Sequence, residues 1–392
     1  MISVSEAKAL VQQYTPTLAP IVLPLSEASG LTLAAAVFAV CDIPAFAQSS
    51  MDGYAIKFED VGQRLKIVGE MAAGAASTFT VATGEAARIF TGAPLPDGAD
   101  TVVMQEKVMV TGASLTLADP NLIKGSNVRS IGAEIKRGVL AMEKGSLLSP
   151  AAIGFLAGIG ITEVTVFPQP RIAIILTGNE LQQPGSPLRF GQVYESNSYA
   201  LTALLRQVGI TEIEVLAAND ELDRLTAVLD LALQKNDLVL LTGGVSVGDY
   251  DFVIEAANQC GVAQLFHKVK QKPGKPLYFG KKENKLVFGL PGNPSSVLSC
   301  CYNYVLPSIA LLSHHVNSVQ QVTARLTCDY QKPVGLTHFL KASYADGKAS
   351  PLGAQESFRL SSFAQANCLI CLEEERSTVR SGEEVNVFLI AH

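Results

Sequence analysis

Residues 237–252 read DLVLLTGGVSVGDYDF. Leu238, Val239, Leu240 and Leu241 form a short apolar run with no polar alternation, the pattern of a strand buried on both faces. Gly243 and Gly244 break it, and a helical segment follows over 251–259. Strand, glycine loop and helix in that order predict an α/β unit. The spacing Gly243-x-x-x-x-Gly248 matches the glycine frame of a P-loop, but Asp249-Tyr250 stands where Lys-[Ser/Thr] belongs, so this is not a nucleoside-triphosphatase signature. The glycines still free backbone N–H groups for an anion, and the following helix N-terminus adds partial positive charge. A carboxylate such as Asp249 or Asp251 beside a phosphate oxygen at ~4 Å costs on the order of 4 kcal/mol at an effective dielectric near 20. A hard cation, Mg²⁺ above all, offsets that repulsion by binding carboxylate and substrate oxygens together. Lys272 and Lys275, in Lys272-Pro273-Gly274-Lys275-Pro276, supply further positive charge as compact point donors.

The alternation extends on either side of this unit. RIAIIL (171–176) and EIEVLAA (212–218) read as strands, and 198–208 and 222–233 as helices, the first with Leu201, Leu204, Leu205 and Val208 on one face. FHKVK (266–270), LYFG (277–280) and KLVFG (285–289) add strands, and 294–312 closes the unit as a helix. This spacing predicts a doubly wound, mainly parallel sheet with helices on both faces. In such sheets ligands bind beyond the carboxyl ends of the strands. Those ends carry Thr177-Gly178-Asn179-Glu180, Asn219-Asp220, Gly243 to Gly248 with Ser246, the lysine-proline turn, and Pro291-Gly292-Asn293-Pro294-Ser295-Ser296. Each alone is ordinary turn or cap chemistry. Together at one edge they predict a site.

Elsewhere the text is mostly β. Ser3-x-x-Glu6 has capping-box spacing and opens a helix that ends before Pro16. Short β-like runs separated by Gly, Pro and Asp fill 42–117, among them LKIVG, TFTV, ARIF and TVVMQE. Residues 149–159 read as a helix with Ser149 as N-cap and Pro150 at its first position, and Pro168 and Pro170 mark a boundary. From about Val319 the helices stop, and an Asp346-Gly347 hairpin turn, CLICLEE and VNVFLI predict a C-terminal β domain. The expected organisation is a linking domain (19–43 and 131–168), an N-terminal β domain (44–130), an α/β domain (1–18 and 169–318) and a barrel-like β domain (319–392). Two polar stretches of the N-terminal β domain join the candidates: residues 44–56, PAFAQSSMDGYAI, with Ser50 and Asp52, and residues 90–96, FTGAPLP, with Thr91.

Bulk properties narrow the function. Hydrophobic residues at 48% and charged residues at 17% describe a folding chain of several domains. A net charge of −6 argues against a nucleic-acid surface, which needs clustered Lys and Arg. The start MISVSEAKAL shows no basic-then-apolar leader, and apolar runs such as 31–40 fall short of the ~20 residues that cross a bilayer, so no membrane association is expected. Seven cysteines, an odd count in a long chain, point to reduced thiols and a cytoplasmic location. Cys368-x-x-Cys371 reads as an apolar strand rather than a zinc pair, and no histidine is assigned to metal.

SSMDGYAI, TGAPLPDGADTVV, TGNEL, GGVSVGDYDF, KPGKP and GLPGNP, in this order across nearly the whole chain, resemble the molybdopterin molybdenumtransferase family, the MoeA-type enzymes also found as the E domain of gephyrin. The resemblance implies a molybdopterin-binding-like α/β domain and insertion of molybdenum from molybdate into adenylylated molybdopterin. Mg²⁺-assisted hydrolysis of the phosphoanhydride would release AMP. It also implies a homodimer whose active cleft lies between the α/β domain of one subunit and the β domain of the other, fed by a molybdopterin adenylyltransferase.

By motif position, Asp52, Thr91, Glu180, Asp220 and Asp251 become catalytic candidates, with Glu180, Asp220 and Asp251 as metal ligands. Ser50, Arg129, Glu134, Gly243, Gly244, Ser246, Asp249, Lys272, Lys275, Pro291, Asn293, Pro294 and Ser296 become substrate-binding candidates. Arg129 matches a basic position before the family's Gly-Glu-Asp, which here reads Gly132-Ala133-Glu134, so the acid is one methylene longer. Pro294-Ser295-Ser296 likewise replaces a small apolar residue after the second proline. Two other readings are a molybdopterin adenylyltransferase, which the α/β domain also resembles, and a non-catalytic gephyrin-like scaffold.

Overall fold

The computed structural model describes residues 1–245 and 252–390. The chain divides into two compact units, one of Met1–Ile21, Gly30–Thr32 and Val166–His392, the other of Val22–Ser29 and Leu33–Thr165.

Within the first unit the α/β sheet runs, strand by strand, Ile213–Ala218, Ile172–Thr177, Leu238–Thr242, Lys285–Leu290, Tyr278–Lys282, Ala263–His267. The first four pair in parallel, and the last two add antiparallel. The chain leaves Ile172–Thr177 to one side and returns at Leu238–Thr242 on the other, so the strand order reverses between these two. Both are buried along their whole length. Their alternate side chains serve two cores, as a period of two requires. Ile172, Ile174, Leu238 and Leu240 pack with Leu201 and Leu205 of helix Asn197–Gln207 and with Val11 of helix Val4–Tyr14. Ala173, Ile175, Val239 and Leu241 pack with Leu225 and Leu229 of helix Leu222–Lys235 and with Val253 and Ala256 of helix Val253–Gln259. Each such Leu or Ile contributes roughly 1.5–3 kcal/mol on burial.

The capping box at Ser3 is present: Glu6 N–H donates to Ser3 Oγ at 3.2 Å, and Ser3 N–H donates to Glu6 Oε2 at 2.7 Å. The closing helix spans Pro294–Leu312, but Cys301–Val305 within it has π geometry. By length and composition alone it could cross a membrane, a possibility that the reading of short apolar runs missed, yet its apolar window is 83% buried inside the protein.

The C-terminal strands Gln320–Leu326, Lys348–Pro351, Thr337–Ala345, Cys368–Leu372 and Glu384–Leu389 pair in a closed ring. Leu326, Leu340, Ile370 and Val387 fill it. Asp346 and Gly347, with φ of 49° and 73°, turn the hairpin between Ala345 and Lys348. One short helix, Leu360–Phe363, interrupts a region read as purely β. Cys368 and Cys371 lie three apart on one strand and so face opposite sides of it, and burial pushes both thiols up to about 12.

His338, on the barrel strand, is 6% exposed. Burial first, then the charges of Lys332 and Lys272, hold its imidazolium down to about 4, against an ordinary 6.5. The folded protein therefore keeps His338 neutral over a range in which the unfolded chain binds a proton. Stability from this residue is complete above pH 6.5 and declines as pH falls toward 4, at roughly 1.4 kcal/mol per pH unit. Urea midpoints between pH 7 and 4.5 check this: His338→Gln is expected to show a shallower decline than the parent, and equal declines would refute it.

The second unit holds a sheet ordered Thr101–Met104, Gly53–Ile56, Glu85–Ile89, Arg64–Met71, Ser114–Leu117, Val108–Thr111. Ala55, Ala87, Ile89 and Val102 pack on one face, and Ile56, Ala86, Val103 and Leu115 on the other. TFTV is not a strand and contributes one bridge, Thr80 to Asp97; Phe79 packs over Gly69, where a Cβ would come within 2.9 Å of its ring. Helix Pro150–Gly158 begins as read, with Ser149 Oγ accepting from Ala152 N–H at 3.2 Å.

Candidate active site

The strand-order reversal is where an open α/β sheet leaves a crevice at its carboxyl edge. A cavity of about 920 Å³ lies there, within the first unit. Glu180 enters from the loop after Ile172–Thr177, and Gly243, Gly244 and Val245 from the loop after Leu238–Thr242. Thr177 Oγ1 donates to the Thr242 carbonyl at 3.1 Å and ties the two strand ends together. Gly243 has φ of +89°, and a Cβ there would meet the Thr177 oxygens at 2.9 Å, so only glycine fits. Its N–H donates to the Leu290 carbonyl at 3.1 Å. Backbone donation to an anion from this loop therefore has to come from residues beyond Gly243.

Lys272 and Lys275 line the same cavity, as do Pro291, Asn293, Pro294 and Ser296. Both lysines are exposed, and among the described residues neither makes an ion pair. The first N–H groups of the helix beginning at Pro294 are already bonded, Ser295 to the Ser357 carbonyl at 3.1 Å and Ser296 to the Asn293 carbonyl at 2.9 Å, so this helix adds the positive potential of its dipole at the edge and no free backbone donor. Glu180 folds its carboxylate over Gly178, where a Cβ would come within 2.8 Å of Oε2, and among the described residues that carboxylate has no donor. Asp220 does not line the cavity; its Oδ2 accepts from Asn179 N–H at 3.1 Å. Ser246, Asp249 and Asp251 lie outside the described residues. Among the described residues no three metal-ligand side chains cluster. The open oxygens of Glu180 and the free Oδ1 of Asp220 have the chemistry of hard-cation donors, suited to Mg²⁺ and not to a soft metal.

Sequence reasoning missed part of the wall. Gln355, Ser357 and Phe358, from the C-terminal domain, Tyr194, just before helix Asn197–Gln207, and Asn197, at its start, also line the cavity. Asn197 Nδ2 donates to the Gly292 carbonyl at 2.9 Å, and Asn293 Nδ2 donates to Ser357 Oγ at 3.0 Å. Lys341 Nζ, buried, donates to the carbonyls of Ala354, Glu356 and Arg359 and fixes the barrel loop that carries Ser357. The signal available was the polar triplet Ser196-Asn197-Ser198 at a helix start.

The remaining candidates belong to the second unit. Asp52 Oδ1 accepts from both Thr91 N–H and Thr91 Oγ1, each at 2.8 Å. Those two bonds, then the Arg88 charge, hold the Asp52 carboxyl below its ordinary value, so it stands as an exposed carboxylate in a fixed orientation. Ser50 N–H donates to the Asn127 carbonyl, and Arg129 pairs with Gln48 in a two-stranded ladder. Glu134 is exposed, with its N–H on the Ile43 carbonyl.

Family models match the chain in three places. The MoeA N-terminal region (domain I and II) covers residues 2–160, the probable molybdopterin binding domain 173–311, and the MoeA C-terminal region (domain IV) 323–390. A molybdopterin molybdenumtransferase of Haemophilus influenzae is 34% identical over 93% of this chain and 92% of its own length. The chain belongs to the molybdopterin molybdenumtransferase family. Other members are 32% identical over 99% of the chain, in Staphylococcus aureus (95% of that protein) and in Mycobacterium tuberculosis (99%). Two crystal structures titled as a molybdopterin biosynthesis MoeA protein from Pyrococcus horikoshii superpose with TM-scores of 0.84 and 0.80 at 30% identity. They cover 99% and 100% of both chains, respectively. Against the family's own divisions, the cavity takes its walls from the molybdopterin-binding and C-terminal regions, whereas Asp52, Thr91, Arg129 and Glu134 belong to the N-terminal region.

Proposed function

We propose that the chain inserts molybdenum from molybdate into adenylylated molybdopterin, with Mg²⁺-dependent hydrolysis of the phosphoanhydride and release of AMP, in molybdenum cofactor biosynthesis. The observation that carries this reading is the cavity at the strand-order reversal, lined by the exposed Lys272 and Lys275 and by Glu180. Such a lining suits a polyanionic substrate only where the lysines and a cation held by the carboxylate offset the repulsion between carboxylate and phosphate. Lys272 and Lys275 donate to the phosphate oxygens and stabilise the charge that develops as the anhydride opens. The Ser296 hydroxyl adds a neutral donor along the same wall, and the helix that begins at Pro294 adds the positive end of its dipole. Glu180 and Asp220, with Asp251 of the segment outside the described residues, are the carboxylates that would hold Mg²⁺, which when bound supplies positive charge at phosphate oxygens. Asp52, held by Thr91, orients the pterin side of the substrate.

A homodimer completes the site in this reading, with Asp52, Thr91, Ser50, Arg129 and Glu134 supplied by a second copy. Exposed apolar side chains in the segment bordering the cavity support a covering partner: Leu188 at 44%, Phe190 at 107% and Val193 at 50% exposure. Light scattering is expected to give twice the 41.5 kDa chain mass. A molybdopterin adenylyltransferase is the expected donor of substrate, and buried thiols such as Cys300 and Cys368 suit a reducing cytoplasm.

The test is AMP release from adenylylated molybdopterin with Mg²⁺, with and without molybdate. Release is expected to depend on molybdate; release indifferent to it would overturn the assignment. Formation of adenylate from ATP and free molybdopterin would favour the adenylyltransferase reading, and no reaction in either assay the scaffold reading.

A further inference from the structure

Beneath the turn that carries Lys272 and Lys275 lies a buried polar chain that packing alone does not require. Tyr304 is 0% exposed and Gln271 1%. Tyr304 Oη donates to Gln271 Oε1, and Gln271 Nε2 donates to the Gly274 carbonyl at 3.0 Å. Cys300 Sγ accepts from Gln271 Nε2 at 3.5 Å and donates to the same Gly274 carbonyl at 3.8 Å. Gly274, at the bend between the two lysines, has φ of +88°. A Cβ there would meet Cys300 Sγ at 2.5 Å and Gln271 Nε2 at 2.8 Å. The backbone of the turn is thus pressed directly onto this chain of groups.

A buried phenol and a buried carboxamide are costly unless every polar atom is paired. Leucine and phenylalanine would fill the same volume without that requirement. Here the bonds converge on one acceptor, the carbonyl that fixes the shape of the lysine turn. Cys300 reaches it directly and Tyr304 through Gln271, both from the closing helix where it passes into π geometry at Cys301–Val305, a local widening that occurs often at functional sites.

We infer that Tyr304 and Gln271 are positioning residues that hold the Lys272–Lys275 turn so that both ammonium groups meet the substrate oxyanion. The inference rests on the reading of these lysines as oxyanion ligands. A displacement near 1 Å at such a contact costs up to about 10²-fold in rate.

The experiment compares Tyr304→Phe and Gln271→Met, both close in volume to the parent residues, in the AMP-release assay, with a urea midpoint for each protein. Each is expected to lower kcat/KM about tenfold well below its unfolding transition. The double variant should fall no further than the worse single one, and the loss should shrink in a Lys275→Ala background, where only Lys272 is left to be positioned. Lowered urea midpoints with kcat/KM within twofold of the parent would overturn the inference and leave a purely structural role, as would losses that add fully to that of Lys275→Ala. Should Tyr304→Phe not fold, Gln271→Met carries the same comparison. Full activity in both Lys272→Ala and Lys275→Ala would instead sink the underlying reading, so the two failures are distinguishable.

Discussion

Lys275→Ala is expected to lower kcat/KM for molybdate-dependent AMP release by roughly 10²- to 10³-fold, and Lys272→Ala by a similar factor. Both side chains line the cavity, and among the described residues neither is committed to a carboxylate. Their charge is therefore available to a guest. A lysine about 4 Å from a phosphate oxygen is worth on the order of 4 kcal/mol at an effective dielectric near 20, enough for losses of this size. Because both are exposed, the urea midpoint should hardly move. Lys275→Arg should recover only part of the rate, since a planar fork does not replace a point charge on this turn. Steady-state kinetics checks the claim; losses below threefold for both alanine variants would contradict it.

Glu180→Gln is expected to raise the Mg²⁺ concentration for half-maximal rate by about 10- to 100-fold. The substitution keeps the shape of the side chain and removes its charge. Glu180 is the candidate ligand that lines the cavity with no donor among the described residues, so ligation is the role left open to its oxygens. Asp220 already accepts the Asn179 N–H, and Asp220→Asn should disturb that loop as well as the cation. Mg²⁺ titration of the rate separates the two roles. An unchanged Mg²⁺ midpoint in Glu180→Gln would remove it from the ligand set.

The α/β domain is legible in the sequence because strands buried on both faces must be written as unbroken apolar runs, as in Ile172–Thr177 and Leu238–Thr242. The half-exposed edge strand Ala263–His267 lacks that mark, and its position reads too late because Val269, buried for its contact with the lysine turn, prolongs the apolar text. Lys272, Lys275, Glu180 and Asn293 line the cavity where the strand-end rule places a ligand. No such rule covers barrel loops, so Gln355, Ser357 and Phe358 passed unnoticed, since they meet the cavity only through long-range packing. The π turn was hidden too, as Cys301 to Val305 fit an ordinary apolar helix by composition. The commitment of the Gly243 N–H to Leu290 depends on the pairing of neighbouring strands, which one segment read alone does not reveal.

In the proposed site, cations let the acidic walls accept an anionic guest. Calorimetric titration of AMP into the protein, in saturating Mg²⁺ and again with excess chelator, addresses it. Affinity is predicted to fall at least about tenfold without the cation, and further in Lys275→Ala. Equal affinities in all three titrations would contradict the account.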